Sequence, residues 1–446
     1  MRSYMNKEYL TRLIFEYNPQ FQTGPGDHSA IKVPDTKRDL YTELSTKLRE
    51  NRLVGIIGLR RTGKTVLMRQ LMAGMGKDAA YFSFDEEETQ TKESMVFVLD
   101  YLLNNIKPHH IFLDEVHYVP DWEGVVKRYY DQKGLSIIVS GSESFRVGKA
   151  KTALTGRLDL FHLSVLTFKE FMVLRGIPSE IGPVDIKDRA ALKALYDSLL
   201  PKKELLEKEF IEYLYKGAFP ELAVEEDPER IQRYIRDMVV KKVVHHDIPA
   251  IFNIQRKALL FDLFVYLCET SSEMFDNVKL GGMLGADQDT IKEYIFYLMN
   301  ANLLTVSENY SGSPAKRMRR SKKAHVVHPS VALAFLGKGR ELLVDKLLGN
   351  LVESLCAGKY FWRQNDRYEV DIIDLAGGKP FPIEVKFRRN ISNDDLGGLL
   401  KFMQAFGAPE GLVVTKDLFD EKKINGHDIH FVPAWLYLLA TQRGWS

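Results

Sequence analysis

The stretch Gly58-Leu-Arg-Arg-Thr-Gly-Lys-Thr65 decides the reading of this chain. It has the spacing G-x-x-x-x-G-K-[ST] of a phosphate-binding loop. The residues before it, Arg52-Leu-Val-Gly-Ile-Ile57, form a short apolar run suited to a buried strand. Those after it, Val66-Leu-Met-Arg-Gln-Leu-Met72, have helical spacing and are stopped by Gly74 and Gly76. Strand, glycine loop and helix together make an anion cradle, because loop N–H groups and the helix N-terminus converge on one point. Within it Gly58, Arg60, Arg61, Thr62 and Gly63 shape the loop, Lys64 reaches the β- and γ-phosphates of ATP, and Thr65 holds Mg²⁺.

Working outward, Ile111-Phe-Leu-Asp-Glu115 is an apolar run ending in two acids. That is the complement a Mg²⁺-dependent NTPase needs: Asp114 for the metal and Glu115 to polarise the attacking water. A strand-end Asp-Glu pair can also simply cap the next helix. A further apolar run, Leu135-Ser-Ile-Ile-Val139, leads into Ser140-Gly-Ser142, where Ser140 or Ser142 would contact the γ-phosphate or its water. Arg157, in Thr155-Gly-Arg157, would stabilise phosphate charge in cis, or in trans from a second copy in a homo-oligomer, or serve in a structural ion pair. Strand-like runs at 53–57, 79–84, 110–114, 135–140 and 158–163 alternate with helical stretches, the signature of a parallel α/β sheet.

A chain of 446 residues exceeds what one core supports. With 45% hydrophobic and 27% charged residues its composition is that of a globular protein, and a formal net charge of +2 confines any nucleic-acid surface to a local patch. Two distant cysteines, Cys268 and Cys356, suggest a reducing compartment without a disulfide framework. Lacking a signal peptide or a run long enough to span a bilayer, the chain reads as cytoplasmic with no membrane partner.

The second half carries two further candidates. Val278-Lys-Leu-Gly-Gly-Met-Leu-Gly-Ala286 and the helix-like 287–298, with Asp287 as N-cap and Ile291, Tyr294, Ile295 and Leu298 on one face, suggest a helix-turn-helix. Leu303-Leu-Thr-Val306 and Ala324-His-Val-Val327 would be wing strands. Between them, residues 314–323 hold six cations in ten positions, suited to DNA phosphates. Further on, Glu369-Val-Asp-Ile-Ile-Asp374, a Gly377-Gly378 turn and Pro382-Ile-Glu-Val-Lys-Phe387 read as a hairpin. Glu384 and Lys386 share one face of its returning strand. Asp371 and Glu384 would share Mg²⁺ or Mn²⁺, with the Val385 carbonyl as a further ligand, while Lys386 activates water. Glu353, on an upstream amphipathic helix, would complete the acidic cluster.

Gly58–Thr65, Ile111–Glu115, Ser140-Gly-Ser142, Thr155-Gly-Arg157 and Tyr213-Leu-Tyr-Lys-Gly-Ala-Phe-Pro-Glu221 together resemble the prokaryotic AAA+ ATPase family with a nuclease-like C-terminal region. Members often show Gly-Gly where this chain has Gly217-Ala218. The order helix-Glu, strand-Asp, strand-ExK resembles the PD-(D/E)xK nuclease core. The resemblance implies an α/β P-loop sheet over 1–170, a helical lid over 171–254, a winged helix over 255–338 and a PD-(D/E)xK-like α/β domain over 339–446. It implies an ATPase acting on DNA, with Mg²⁺-dependent phosphodiester cleavage. The alternative is an ATP-driven switch that binds DNA or protein and cuts nothing.

Overall fold

The computed structural model describes the chain except residues 1–5, 23–31, 49, 51–52, 134, 142–153, 155, 312–320, 337–343, 366, 377 and 443–446. The chain divides into two compact units, residues 1–164 and 165–446.

In the first unit, strands β1 (Leu53–Ile57), β2 (Ala79–Ser83), β3 (His110–Asp114), β4 (Ser136–Gly141) and β5 (Leu158–His162) form one sheet in the order β5-β1-β4-β3-β2. Every pairing is parallel. The class is therefore α/β with a five-stranded parallel sheet, as the alternation of apolar runs requires. A parallel sheet is covered on both faces, which explains why its inner strands are apolar throughout. Along β1, Val54 and Ile56 face one cluster with Leu67, Met68 and Leu71 of helix α3 (Lys64–Ala73) and Leu44 and Leu48 of α2 (Leu40–Leu48). Leu53 and Ile57 face the other, which gathers α1 (Lys7–Tyr17), α4 (Lys92–Tyr101) and α5 (Trp122–Lys133).

Helix α1 lies in a stretch that reads as polar and aromatic; it buries Leu10, Leu13 and Ile14, and its N-cap Asn6 accepts from the Tyr9 N–H. The residues just after it close an edge of the sheet. Unpaired edge groups invite foreign strands, and on β2 the Asn18 side-chain amide donates to the Tyr81 carbonyl at 2.7 Å and accepts from the Tyr81 N–H at 2.8 Å. Gln20 donates to the Ala79 carbonyl at 3.1 Å. Two amide side chains thus act as a substitute strand.

The second unit begins with helices α6 (Phe168–Leu174), α7 (Arg189–Leu199) and α8 (Lys203–Lys216). Gly217 ends α8 where a Cβ would lie 2.1 Å from the Tyr213 ring, so only glycine fits. After α9 (Lys257–Glu269), the helix pair α10 (Asn277–Leu284) and α11 (Gln288–Asn300) turns through Gly285 in a left-handed conformation. Asp287 caps α11, accepting from the Asp289 and Thr290 N–H groups.

A second sheet runs β10-β9-β7-β8-β6, built from β6 (Met274–Phe275), β7 (Leu304–Asn309), β8 (Lys322–Val326), β9 (Tyr360–Gln364) and β10 (Tyr368–Val370). The β7–β8 pair after α11 is joined to later strands through parallel β7–β9 pairing. The third sheet, β11-β12-β13-β15-β14, comprises β11 (Ile372–Asp374), β12 (Phe381–Lys386), β13 (Glu410–Thr415), β14 (Asp420–Ile424) and β15 (His427–Pro433). It packs with α12 (Val344–Cys356), α13 (Gly397–Phe406) and α14 (Ala434–Thr441), the last apolar all round and buried from Ala434 to Ala440. No helix among the described residues is long and apolar enough to cross a membrane.

Strand β8 is stitched down by a buried imidazole. His325 lies 2.9 Å through Nδ1 from the Ser272 hydroxyl and 2.8 Å through Nε2 from that of Ser307. The same hydroxyls lie within hydrogen-bond distance of the carbonyls of Asn350 and Gly358, and a neutral ring donates to one hydroxyl and accepts from the other. Burial, reinforced by the neighbouring Lys323 charge, pushes His325 down to about 3. The unfolded imidazole takes up a proton near pH 6.5 and the folded one does not, so this contribution to stability is complete above that pH. It is lost as pH falls from there towards 3, at about 1.4 kcal/mol per pH unit. Unfolding free energies of wild type and His325→Gln, measured between pH 7.5 and 5, should therefore show a shallower pH slope in the variant; parallel slopes would exclude this account.

Candidate functional site

The phosphate loop leaves β1 at Gly58, with φ +153° and a Cβ position only 2.2 Å from the Leu163 carbonyl oxygen. No side chain fits there, which is why the first glycine of the motif is obligatory. Gly63 caps α3 at φ +98°, and Arg61 occupies the left-handed region at φ +69°. Inside the loop the Thr62 hydroxyl donates to the Leu59 carbonyl at 2.9 Å. The Lys64 ammonium, buried, donates to the Gly58 and Leu59 carbonyls at 3.1 and 3.2 Å. Arg60 donates to the Tyr118 hydroxyl at 2.7 Å. Arg38, which sequence reading does not single out, braces the loop from outside: its guanidinium donates to the carbonyls of Thr62 at 2.6 Å and Ser164 at 2.9 Å.

Asp114 ends β3, buried. One carboxylate oxygen accepts from the Thr65 hydroxyl at 2.6 Å and from the Tyr81 hydroxyl at 2.7 Å. The other accepts from the Ser140 hydroxyl and, at 3.2 Å, from the Glu115 N–H. Thr65 and Asp114 thus present adjacent hard oxygens, the donor type Mg²⁺ takes. Glu115 sits at φ +54°, with a carboxylate oxygen 3.2 Å from His117 Nδ1. The structure therefore brings Lys64, Thr65, Asp114, Glu115 and Ser140 together at the C-terminal ends of the strands. Ser142 lies outside the described residues. Arg157 precedes β5, at the opposite end of the sheet from the loop that follows β1, and pairs with Asp131 at 2.9 Å. Five residues of strand, about 17 Å, separate those ends, so Arg157 is not brought to its own chain's phosphate loop.

Tyr81 is the functional neighbour that sequence reading misses. In an apolar strand it reads as core, and only the register Tyr81↔Phe112 places its hydroxyl diagonally beside Asp114. Burial, then the Asp114 charge, drives the phenol well above its ordinary range, so it remains a donor.

The second constellation gathers Glu353, Asp371, Glu384 and Lys386, with a difference. The expected continuous strand 369–374 breaks at Asp371, which lies between β10 of the second sheet and β11 of the third. The Val385 N–H donates to Asp371 at 2.8 Å. Lys386 pairs with Glu384 at 2.5 Å. Lys323, expected among the hairpin cations suited to DNA phosphates, is buried instead, its ammonium 2.8 Å from Glu353, 2.5 Å from Glu369 and 3.5 Å from Asp371. Burial alone would lower Lys323, but the carboxylates of Glu353, Asp371 and Glu369 more than reverse it and hold it charged. Burial, then the Asp371 charge, raises both Glu353, well above the carboxylate range, and Glu384, to about 8. Among the described residues no group of three or more His, Cys, Asp or Glu side chains is arranged to hold a metal ion. The expected sharing of a divalent cation by Asp371 and Glu384 does not fit this arrangement, because lysine ammonium groups stand where the cation would sit among these side chains.

Comparison with known proteins bears on the first constellation. Residues 50–172, which hold the loop, Asp114 and Glu115, match the AAA domain. The first unit carries an AAA-type ATPase domain. Residues 207–342 and 349–437 match two families described as Domain of unknown function (DUF8612) and Domain of unknown function (DUF4143). Similar chains include an uncharacterized protein of Haemophilus influenzae, 19% identical over 90% of this chain and 98% of its own. Another, from Methanocaldococcus jannaschii, is 24% identical over 90% of this chain and 87% of its own. Among solved structures, a RuvB mutant of Thermotoga maritima aligns over 64% of this chain and 93% of its own, at 16% identity and a TM-score of 0.31.

In the AAA domain, loss of one hydrogen bond to a buried carboxylate costs about 1.5–3 kcal/mol. Tyr81→Phe keeps the packing of β2 and removes only that donor. ATP hydrolysis should fall about tenfold, with Mg²⁺ half-saturation moved to higher concentration. A phosphate-release assay across a Mg²⁺ titration checks this, and an unchanged half-saturation would refute the role.

Proposed function

We propose that this protein is an ATP-driven switch whose second unit docks a protein partner and does not cut nucleic acid as folded. On the ATP side, Lys64 neutralises the β- and γ-phosphates, Thr65 and Asp114 hold Mg²⁺, and Glu115 orients the attacking water. When bound, Mg²⁺ offsets charge on the transferring phosphoryl group.

The observation that carries the non-cutting reading is that lysine ammonium groups already stand among the nuclease-like carboxylates and pair with them. Lys323 serves Glu353, Glu369 and Asp371, and Lys386 serves Glu384. A metal nuclease needs those oxygens for a hard cation. The α10–α11 surface supports protein as the partner. Val278, Met283, Phe296 and Met299 are exposed there, between 36% and 64%. Phe296 and Met299 help line a groove of about 730 Å³ whose charged lining is mixed, Asp276, Asp289 and Glu308 with Lys292 and Lys322. A helix that reads DNA presents donors to phosphates and bases, whereas the first turn of α11 is acidic.

A second reading keeps DNA as the partner. It rests on the six cations among residues 314–323, of which only Lys322 and Lys323 are described. Nuclease activity and phosphate release, assayed on supercoiled, linear and single-stranded DNA with Mg²⁺ or Mn²⁺, separate the readings. ATP hydrolysis should vanish in Lys64→Ala, and wild type should leave all three DNAs intact with or without ATP. Metal-dependent cutting that disappears in Lys386→Ala would restore the nuclease.

A further inference from the structure

We propose that Lys323 is a resident cation standing where a divalent metal would otherwise bind, so that a latent metal site appears when the lysine is removed. The inference rests on the reading above that the second unit does not cut as folded, and it names the device responsible.

Three acidic side chains surround the Lys323 ammonium at 2.5 to 3.5 Å, and they come from α12, β10 and the break before β11. Oxygen ligands of Ca²⁺ or Mg²⁺ lie at roughly 2.0–2.6 Å, so with the ammonium removed Glu353 and Glu369 need to move little and Asp371 by roughly 1–1.5 Å to reach a smaller, doubly charged ion. Glu384 supplies a further oxygen. It is 95% buried, its Oε1 is taken by Lys386, and its Oε2 has no hydrogen-bond partner. Asp371, 3.5 Å from the Lys323 ammonium, accepts the Val385 N–H at 2.8 Å, and Val385 follows Glu384 on β12, so Glu384 borders the same pocket.

The ammonium is itself fixed in place. It lies 5.4 Å over the Phe361 ring, and β8 is held two residues on by the His325 network. A lysine is monovalent and offers donors only, so it neutralises the pocket without polarising water or a phosphate as a divalent ion does. The pocket is thereby closed to metal chemistry while its acids remain in place.

The test is Mn²⁺ binding by the full-length, nucleotide-free protein, read by electron paramagnetic resonance, comparing wild type, Lys323→Arg and Lys323→Met. Lys323→Met should gain one Mn²⁺ per chain, and its Tm should rise with Mn²⁺ concentration. Wild type and Lys323→Arg should show neither effect. Adding Asp371→Asn to Lys323→Met should abolish the gain.

A folded Lys323→Met that binds no additional Mn²⁺ would overturn the inference and leave the non-cutting reading untouched. Mn²⁺ bound by wild type and lost on Asp371→Asn would also overturn it. Metal-dependent DNA cleavage by wild type would instead overturn the reading beneath it. Should Lys323→Met fail to fold, Lys323→Met/Glu369→Gln removes one acid along with the lysine. Refolding of either variant only in Mn²⁺ supports the proposal, and failure of both to refold in Mn²⁺ rejects it.

Discussion

A carboxylate withdrawn from water must find donors or a cation, and both constellations of this protein are answers to that demand. At Asp114 the answer is hydroxyl groups from three elements, Thr65 at the start of α3, Tyr81 on β2 and Ser140 on β4. Each donor comes from a different element around β3, so the carboxylate is satisfied only when all are in register. The register in turn depends on the sheet's edge, where Asn18 grips the Tyr81 peptide in place of a further strand. Order at the nucleotide site is therefore tied to helix α1 through a continuous set of hydrogen bonds.

In the second unit the same demand is met with cationic side chains. Glu353, Glu369, Asp371 and Glu384 are served by Lys323, Arg363 and Lys386. Truncating one partner of such a buried set leaves charge uncompensated, which is far costlier than losing a surface pair. The arrangement also carries architectural information. Asp371 sits where one strand run passes from the second sheet to the third, and Lys323 pins the hairpin strand β8 to that crossing.

Legibility in the sequence followed contiguity. The phosphate loop was readable because its glycines, lysine and threonine act within eight consecutive residues, and Asp114-Glu115 because an apolar run ends at them. Glu384 and Lys386 were readable as same-face neighbours by the period of a strand. Tyr81 was not, because an aromatic residue in a buried strand looks like core until the parallel register is known. Helix α1 was not, because its buried Leu10, Leu13 and Ile14 make a narrow stripe among polar and aromatic neighbours. Lys323 was misjudged because it closes a run of surface-like cations, and nothing local distinguishes it from Lys322.

The sequence by itself determined the α/β class, the phosphate cradle and the acids that accompany it, since each is written in short-range patterns of residue type and spacing. Only the tertiary structure decided what compensates those acids. Lys323 meets Asp371 across 48 residues of chain, through a hairpin strand paired to a later one and a helix packed over both. Which cation fills a buried pocket depends on where distant backbones meet, and that is fixed by packing and register.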